Sequence, residues 1–406
     1  MRPAVLLVGG ASPIASSRDI VGDALRQARD RGVRTHVLGR PDQLAATAEI
    51  TALADAVSAA DPEDPADCAR WARAEAARGT RFDLVLGLRD PVLAATAACA
   101  EVFGVPGNPP EAIARTRDKD VCRAALAAAG FPQPAVRLCR DEAAAAEFLA
   151  ASRGPWVVKP RAGMGSVGVR GVAGPDDLPA AVAGLPDREP FLVEEFVSGP
   201  EFSAEGVFLG GAPRVLAVTA KDKLPPPWFV ESGHVLPAEL PEHRRAEAEK
   251  AVCGALTALG LRSGVFHVEF WLRAGEVVLG EVHARPGGDW LHRLLTAAVP
   301  GLELFGLLYD DLLGVGPPAD LRPTRAGAVR FLVAEPGELL DVAGWDRVRL
   351  HPAVLHADLS VHPGDVVAPV RDSGGRAGVV VVGAADPAAA AALADDLADG
   401  VRFTVR

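Results

Sequence analysis

Residues 280 to 289 read GEVHARPGGD and place Glu281, His283 and Arg285 on alternate positions before a Pro-Gly-Gly stop. Alternation by two is the strand period, so these side chains leave one face of a strand together. A carboxylate, an imidazole and a guanidinium on one face pack poorly but bind well. Upstream, GVFHVEFWL and EVVLGEVHA flank Arg273-Ala274-Gly275, a short turn of hairpin type. With the turn centred near Gly275, Glu269 stands opposite Glu281 and His267 opposite His283, while Phe266, Val268, Phe270 and Val282 face the other way. Two carboxylates across a ladder repel, so a cation must lie between them or one must hold a proton. A divalent metal on ATP phosphates meets that need, since Mg2+ is held by one or two carboxylates plus phosphate oxygens.

A second group lies in WVVKPRAGMGSVGV, where Lys159 ends a strand and Gly163, Gly165, Ser166 and Gly168 follow. Glycines let backbone N–H groups approach phosphate oxygens, and a lysine beside them adds a point charge. The order is the reverse of GxxxxGK[ST], so this is not a Walker loop. Between the two groups, FLVEEFVSGPEFSAE reads as a strand ending in acids. Adenine needs backbone donors and acceptors at a strand end and ribose needs a carboxylate; Glu194, Glu195, Phe196 and Val197 fit the first task, Glu201 the second. The 42 basic residues include only five lysines: Lys119, Lys159, Lys221, Lys223 and Lys250. Where Arg supplies nearly all positive charge, a retained Lys points to a place needing a compact ammonium.

These groups require a scaffold. The first segment alternates strands and helices (AVLLVGG, a helix over about 19–31, THVLG, FDLVLGL), the pattern of an open parallel sheet ending near residues 107–110. Its Gly-Gly lacks GxGxxG, so no dinucleotide site is assigned. A helix over 118–129 follows, then strands separated by Gly or Pro and interrupted by a helix over about 242–259. From about residue 320 the chain reads as a smaller alpha/beta piece that closes one side of the site. At 406 residues the chain holds several domains. No apolar run reaches the roughly 18 to 20 residues of a membrane span, and the start is too short in its apolar part for a signal peptide; a cytoplasmic protein without a membrane partner is expected. The five cysteines form no CxxC and read as buried small hydrophobes, while a net charge of −11 without a basic stripe argues against nucleic acid.

Taken in order, RDKD (117–120), VVKPRAGMGSVGV (157–169), VEEFVSGPEFS (193–203), HVEF (267–270) and EVHARPGG (281–288) resemble the ATP-grasp superfamily of carboxylate-amine ligases. The resemblance implies mixed α/β and α+β classes: an N-terminal Rossmann-like domain (1–115), a small ATP-grasp lid (116–190), a large ATP-grasp subdomain (191–315) and a small C-terminal α+β domain (316–406) packed on the core. It implies ATP and Mg2+ as cofactors, with Mn2+ as an alternative ion, and an acyl phosphate that an amine attacks. By resemblance Lys119 and Lys159 contact phosphates, Glu194 to Val197 the adenine, Glu201 the ribose, and Glu269 and Glu281 the metal. Arg285 faces the acyl phosphate. The family pattern has Asn where this chain has His283, which stays a candidate metal ligand; His267 is a candidate supporting residue.

TAKDKLPPPWFVESGHVLP narrows the branch. Its prolines cannot form a central strand and predict a rigid loop bordering the site. Lys221, Glu231 and His234 resemble the corresponding loop in L-amino acid ligases, which join amino acids into dipeptides, and Gly288 and Asp289 complete the implied substrate side with Arg285. EVHARPGGD also resembles natural-product ligases, some of which load amino acids onto carrier proteins. A homodimer follows by analogy alone. The alternatives are a biotin-carboxylase-like or nucleotide-pathway ligase on the same scaffold, and a noncatalytic nucleotide-binding module.

Overall fold

The computed structural model describes residues 2–187, 189–273, 275–318 and 320–406. Its N-terminal sheet is parallel, in the order Ala56–Ala59, Arg34–Gly39, Ala4–Val8, Leu84–Gly87. The first long helix spans Ala15–Asp30, beginning four residues before the expected Asp19. It lays Ile20, Val21, Ala24, Leu25 and Ala28 against the helix Leu304–Leu312. Polar ties fix that docking: Tyr309 Oη donates to Ala24 O (3.0 Å), Gln27 Oε1 accepts from the Phe305 and Gly306 amides, and Arg31 pairs with Asp310 at 2.7 Å.

The lid is a four-stranded antiparallel sheet, Val136–Cys139, Phe191–Glu195, Trp156–Pro160 and Arg170–Val172. A cut at residue 190, as expected from sequence, would split it, because Phe191–Glu195 is its second strand. The helices Pro110–Arg117 and Lys119–Ala128 instead bury Ala112, Ile113, Cys122 and Leu126 in the large subdomain's core.

An eight-stranded antiparallel sheet forms the centre: Glu276–His283, Val265–Arg273, Glu201–Leu209, Ala212–Lys223, Glu231–Leu236, Ala326–Leu332, Gly378–Ala384, Val354–Leu359. Its last three strands come from the C-terminal region, which is therefore hydrogen-bonded into the core sheet and does more than pack against it. One face carries Phe202, Ala204, Val218, Phe266, Val268, Phe270, Leu279 and Val282. Against this face lies the helix Glu242–Leu259, which offers Ala248, Val252, Ala255, Leu256 and Leu259 at helical spacing and stops at Gly260 in the left-handed region (φ 84°). The other face carries charged and polar side chains around Glu269 and Lys221, and elsewhere Val207, Val265, Val329 and Val381 against the helices Leu291–Ala298 and Leu304–Leu312.

Candidate active site

Two bulges put those charges on one face. The hairpin pairs Arg273 with Glu276, one residue tighter than the sequence suggests; Ala274, part of the expected turn, lies outside the described residues. Kept regular, that register would bring Glu281 opposite Val268 and bury it on the apolar face. The register shifts between Val268 and Phe270, and beyond the shift Val268 faces Val282 and His267 faces His283. Gly280 absorbs the extra residue, where a Cβ would stand 3.0 Å from both Glu269 O and the Trp271 ring. A second shift between Asp222 and Lys223 pairs Lys221 with His234 and Lys223 with Glu231, so Glu231 and His234, three apart in sequence, share a face.

The glycine loop and the large subdomain enclose a cleft of about 180 Å³ lined by Lys119, Lys159, Gly163, Gly165, Ser166, Glu195, Phe196, Val197 and Glu201. Lys119 begins a helix; its Nζ lies 3.4 Å from Glu281 and donates to Gly163 O at 3.2 Å. Gly163, Gly165 and Gly168 have φ of 145°, 66° and 71°, a left-handed path that side chains resist. Ser166 Oγ donates to Phe229 O (3.0 Å), and Phe229 stacks on Phe196 at 5.8 Å, so the proline loop borders the cleft as expected.

The Glu194 side chain is committed to an ion pair inside the protein, which leaves the expected adenine role to the backbone of this segment. It is buried, accepts Arg123 Nε and Nη2 at 2.5 and 2.9 Å, and lies 2.9 Å from Lys159 Nζ. Burial alone would raise its pKa; Arg123 and Lys159 outweigh that and hold it down at about 2. Two cations around one carboxylate leave a surplus positive charge, and Lys159 is depressed by burial and further by Arg123. An anion in the cleft relieves this. Lys159→Met is therefore expected to leave stability nearly unchanged, because Arg123 still neutralises Glu194. ATP affinity should fall about 10- to 100-fold, as for a lost charged hydrogen bond; calorimetric titration with unchanged affinity would remove Lys159 from the phosphate site.

Glu201 is likewise already held, by Lys221 at 2.8 Å and by Lys223, so a ribose would share it with two ammonium groups. Glu269 meets Lys221 Nζ at 2.6 Å, and Glu281 meets His283 Nε2 at 3.3 Å. Side chains thus compensate both carboxylates, where the sequence reading placed a metal alone. Partial enclosure works against ionisation of Glu281, but Lys119 and His283 keep its pKa well below the carboxylate range. Among the described residues the trio of acid and His ligand atoms gathered within 4.8 Å is Asp19, Asp23 and His292; Glu269, Glu281 and His283 do not converge that closely. His283 is turned by Asp90, 3.1 Å from its Nδ1. As oxygen donors facing one cleft, Glu269 and Glu281 still suit a hard cation.

Beside the cleft opens a cavity of about 700 Å³, lined by Lys221, Glu231, His234, Arg285, Gly288 and Asp289 together with C-terminal residues. His234 Nε2 is 3.0 Å from Asp289, and Arg376 reaches Asp289 (2.9 Å) and Glu231 (3.0 Å) while lying 3.6 Å over the Phe331 ring. Asp289 and Trp290 both hold positive φ (53° and 62°), a strained pair that aims them into the cavity wall. Ser373 N donates to Gly165 O (2.9 Å), joining the C-terminal region to the glycine loop. Glu231, Glu269 and Arg285 line both the cleft and the cavity and so mark their junction. Arg285 Nε bonds Asp90 at 2.7 Å. His267 sits between Glu205 (3.0 Å) and Glu269 (3.5 Å); against burial, those acids raise it to about 9, so it is cationic at neutral pH.

Sequence reasoning missed Arg123, Asp90, Glu205 and Arg376. Arg123 left a signal as an Arg between Cys122 and Leu126 on a helix's apolar side; Asp90 left one by following the end of a parallel strand.

Residues 152–293 match the ATP-grasp domain, and residues 330–406 match the L-amino acid ligase C-terminal domain 2. Uncharacterized protein y4rH of Sinorhizobium fredii is 32% identical over 324 residues, covering 75% of this chain and 64% of that protein. Carnosine synthase 1 of Gallus gallus is 29% identical over 364 residues, 83% of this chain and 38% of that protein. The chain thus spans less than two thirds of the length of these relatives. The crystal structure of L-amino acid ligase from Bacillus licheniformis superposes with a TM-score of 0.80 at 23% identity, covering 100% of this chain and 99% of that one, which shows a shared fold. No helix among the described residues is long and apolar enough to cross a membrane. The chain carries an ATP-grasp domain and the second C-terminal domain of the L-amino acid ligases.

Proposed function

We propose that the chain is an ADP-forming carboxylate-amine ligase that joins two amino acids through an acyl phosphate. The observation that carries this reading is the junction: Glu269 and Arg285 stand where a cleft lined by Lys119, Lys159 and the glycine loop opens into a cavity bearing both acids and bases. Lys119, Lys159 and the glycine loop bind and orient the nucleotide's phosphates. Glu269 and Glu281 would hold Mg2+, or Mn2+ as the alternative, which would offset the charge of the phosphate oxygens. A donor carboxylate oxygen forms a bond to the γ-phosphorus as the β–γ bridge breaks and ADP leaves with the electron pair. The acceptor nitrogen then bonds the acyl carbon, the C–O bond to phosphate breaks, inorganic phosphate departs and the nitrogen loses a proton. Arg285 faces the transferring phosphoryl group and offsets its charge, the main task in such chemistry. Glu231 and Asp289 offer anions to a donor ammonium.

The C-terminal domain match favours amino acids over bicarbonate or a nucleotide precursor as substrate. Incubation with ATP and pairs of amino acids should release ADP and phosphate in equal amounts, with a dipeptide seen by mass spectrometry. AMP and pyrophosphate would exclude the acyl-phosphate route; ATP binding without turnover over the whole panel would favour a noncatalytic module, and activity only with a carrier-bound acceptor would favour loading.

A further inference from the structure

In the N-terminal sheet the chain winds from Ala4–Val8 outward through Arg34–Gly39 and Ala56–Ala59, then returns to the opposite side with Leu84–Gly87. In an open parallel sheet the loops leaving the carboxyl ends of strands at such a reversal diverge, and the crevice between them is where ligands bind. Ser12 lies on the loop after the first of these two strands and Arg89 on the loop after the second. Docking of the helix Ala15–Asp30 turns this crevice toward the active site, and both residues line the 700 Å³ cavity.

Arg89 differs from the other cations of that cavity. Lys221 is beside Glu201 and Glu269, Arg285 beside Asp90, and Arg376 beside Glu231 and Asp289. No described carboxylate lies within 4.0 Å of Arg89, its buried Nε has no hydrogen-bond partner, and a single long bond runs from Nη2 to Gly9 O (3.3 Å). Burial lowers its proton affinity, and Glu63 offsets this only from longer range. Ser12 is 7% exposed and its Oγ is also buried without a partner. A cation and a hydroxyl left without partners around one cavity cost stability until an anion completes them.

On the ligase reading above, the donor amino acid's carboxylate is consumed at the junction and its ammonium faces Glu231. The acceptor brings its amine to the same junction and needs a cation for its α-carboxylate, two bonds away. Asp90, the neighbour of Arg89 in sequence, grips Arg285, so a cation on this wall stands close to the reacting centre. We infer that Arg89 and Ser12 bind the α-carboxylate of the amino acid that supplies the amine.

The test compares the acceptor amino acid found by the pair screen with its own C-terminal amide, which keeps the amine and lacks the negative charge. Wild-type protein should prefer the acid, and Arg89→Met should lower that preference in KM about 10- to 100-fold, mainly by raising the KM of the acid. Arg89→Lys and Ser12→Ala should keep part of it. Without substrates, Arg89→Met should melt no lower than wild type, because it removes an uncompensated charge; a purely structural arginine would give a lower melting temperature. Unchanged acid-over-amide preference in Arg89→Met, or in Ser12→Ala and Arg89→Lys should Arg89→Met not fold, would overturn the assignment. Absence of phosphate release by wild type with every amino acid would overturn the ligase reading and this inference with it.

Discussion

Glu281→Ala is expected to lower amino-acid-dependent phosphate release about 10²- to 10³-fold, the scale of removing one preorganised charge from a phosphoryl-transfer site, while the protein stays folded. Its side chain is 29% exposed on the edge strand of the central sheet, so little stability is expected to depend on it. The chemistry depends on it more. Without that carboxylate, Lys119 loses its 3.4 Å partner and His283 its 3.3 Å partner, and the cleft keeps its cations but only Glu269 of the two carboxylates suited to Mg2+. The measurements are steady-state phosphate release and a circular-dichroism melt. Near-normal turnover in a folded variant would remove Glu281 from the metal site and take the hairpin argument with it.

Arg123→Met is expected to act in the opposite way, destabilising the protein by about 3 to 5 kcal/mol, the cost of leaving a buried carboxylate without its main partner. Arg123 is 3% exposed and also donates to Gln133 Oε1 (2.8 Å) and Leu279 O (2.9 Å), so three acceptors each lose one donor at once. Denaturant unfolding at neutral pH measures the loss. A pH series adds a signed test. Because the Glu194 pKa is depressed from 4.5 to about 2, its ionised contribution is fully present above about 4.5 and is lost as pH falls through about 2. In Arg123→Met the folded pKa moves back up, so this acid-dependent part of the stability should shrink and the variant's curve should be flatter between those limits. An unfolding free energy within 1 kcal/mol of wild type would show that the ion pair is not structural.

The contrast with Lys159→Met, which touches the same carboxylate, shows what sequence could convey. The lysines were legible as chemistry: Lys119, Lys159, Lys221 and Lys223 line the cleft or the cavity, and Lys250 is an exposed helix residue. Strand alternation gave the apolar face of the sheet, and the spacing of Glu242–Leu259 gave its covering helix. What sequence did not carry were the compensating partners. Asp90 lies 193 residues from His283, and Arg376 lies 145 residues from Glu231. Periodicity is local and cannot pair such positions. The bulges were hidden for a related reason: the expected facing of Glu269 and Glu281 assumed one register throughout, whereas a tighter turn and a later bulge together produce it. Domain limits suffered similarly, since Phe191–Glu195 joins its sheet through two strands that both lie well before it in sequence, Val136–Cys139 and Trp156–Pro160.

The C-terminal strands also set how the chain can be divided. Cutting before residue 326 would strip Ala326–Leu332 from its partner Glu231–Leu236 and leave a row of bare amide and carbonyl groups next to Glu231 and His234. Such an open margin invites pairing with another copy, so a shortened protein should aggregate. Exchanging the C-terminal module between related proteins would likewise replace the wall bearing Phe331 and Arg376, and substrate choice should travel with that exchange.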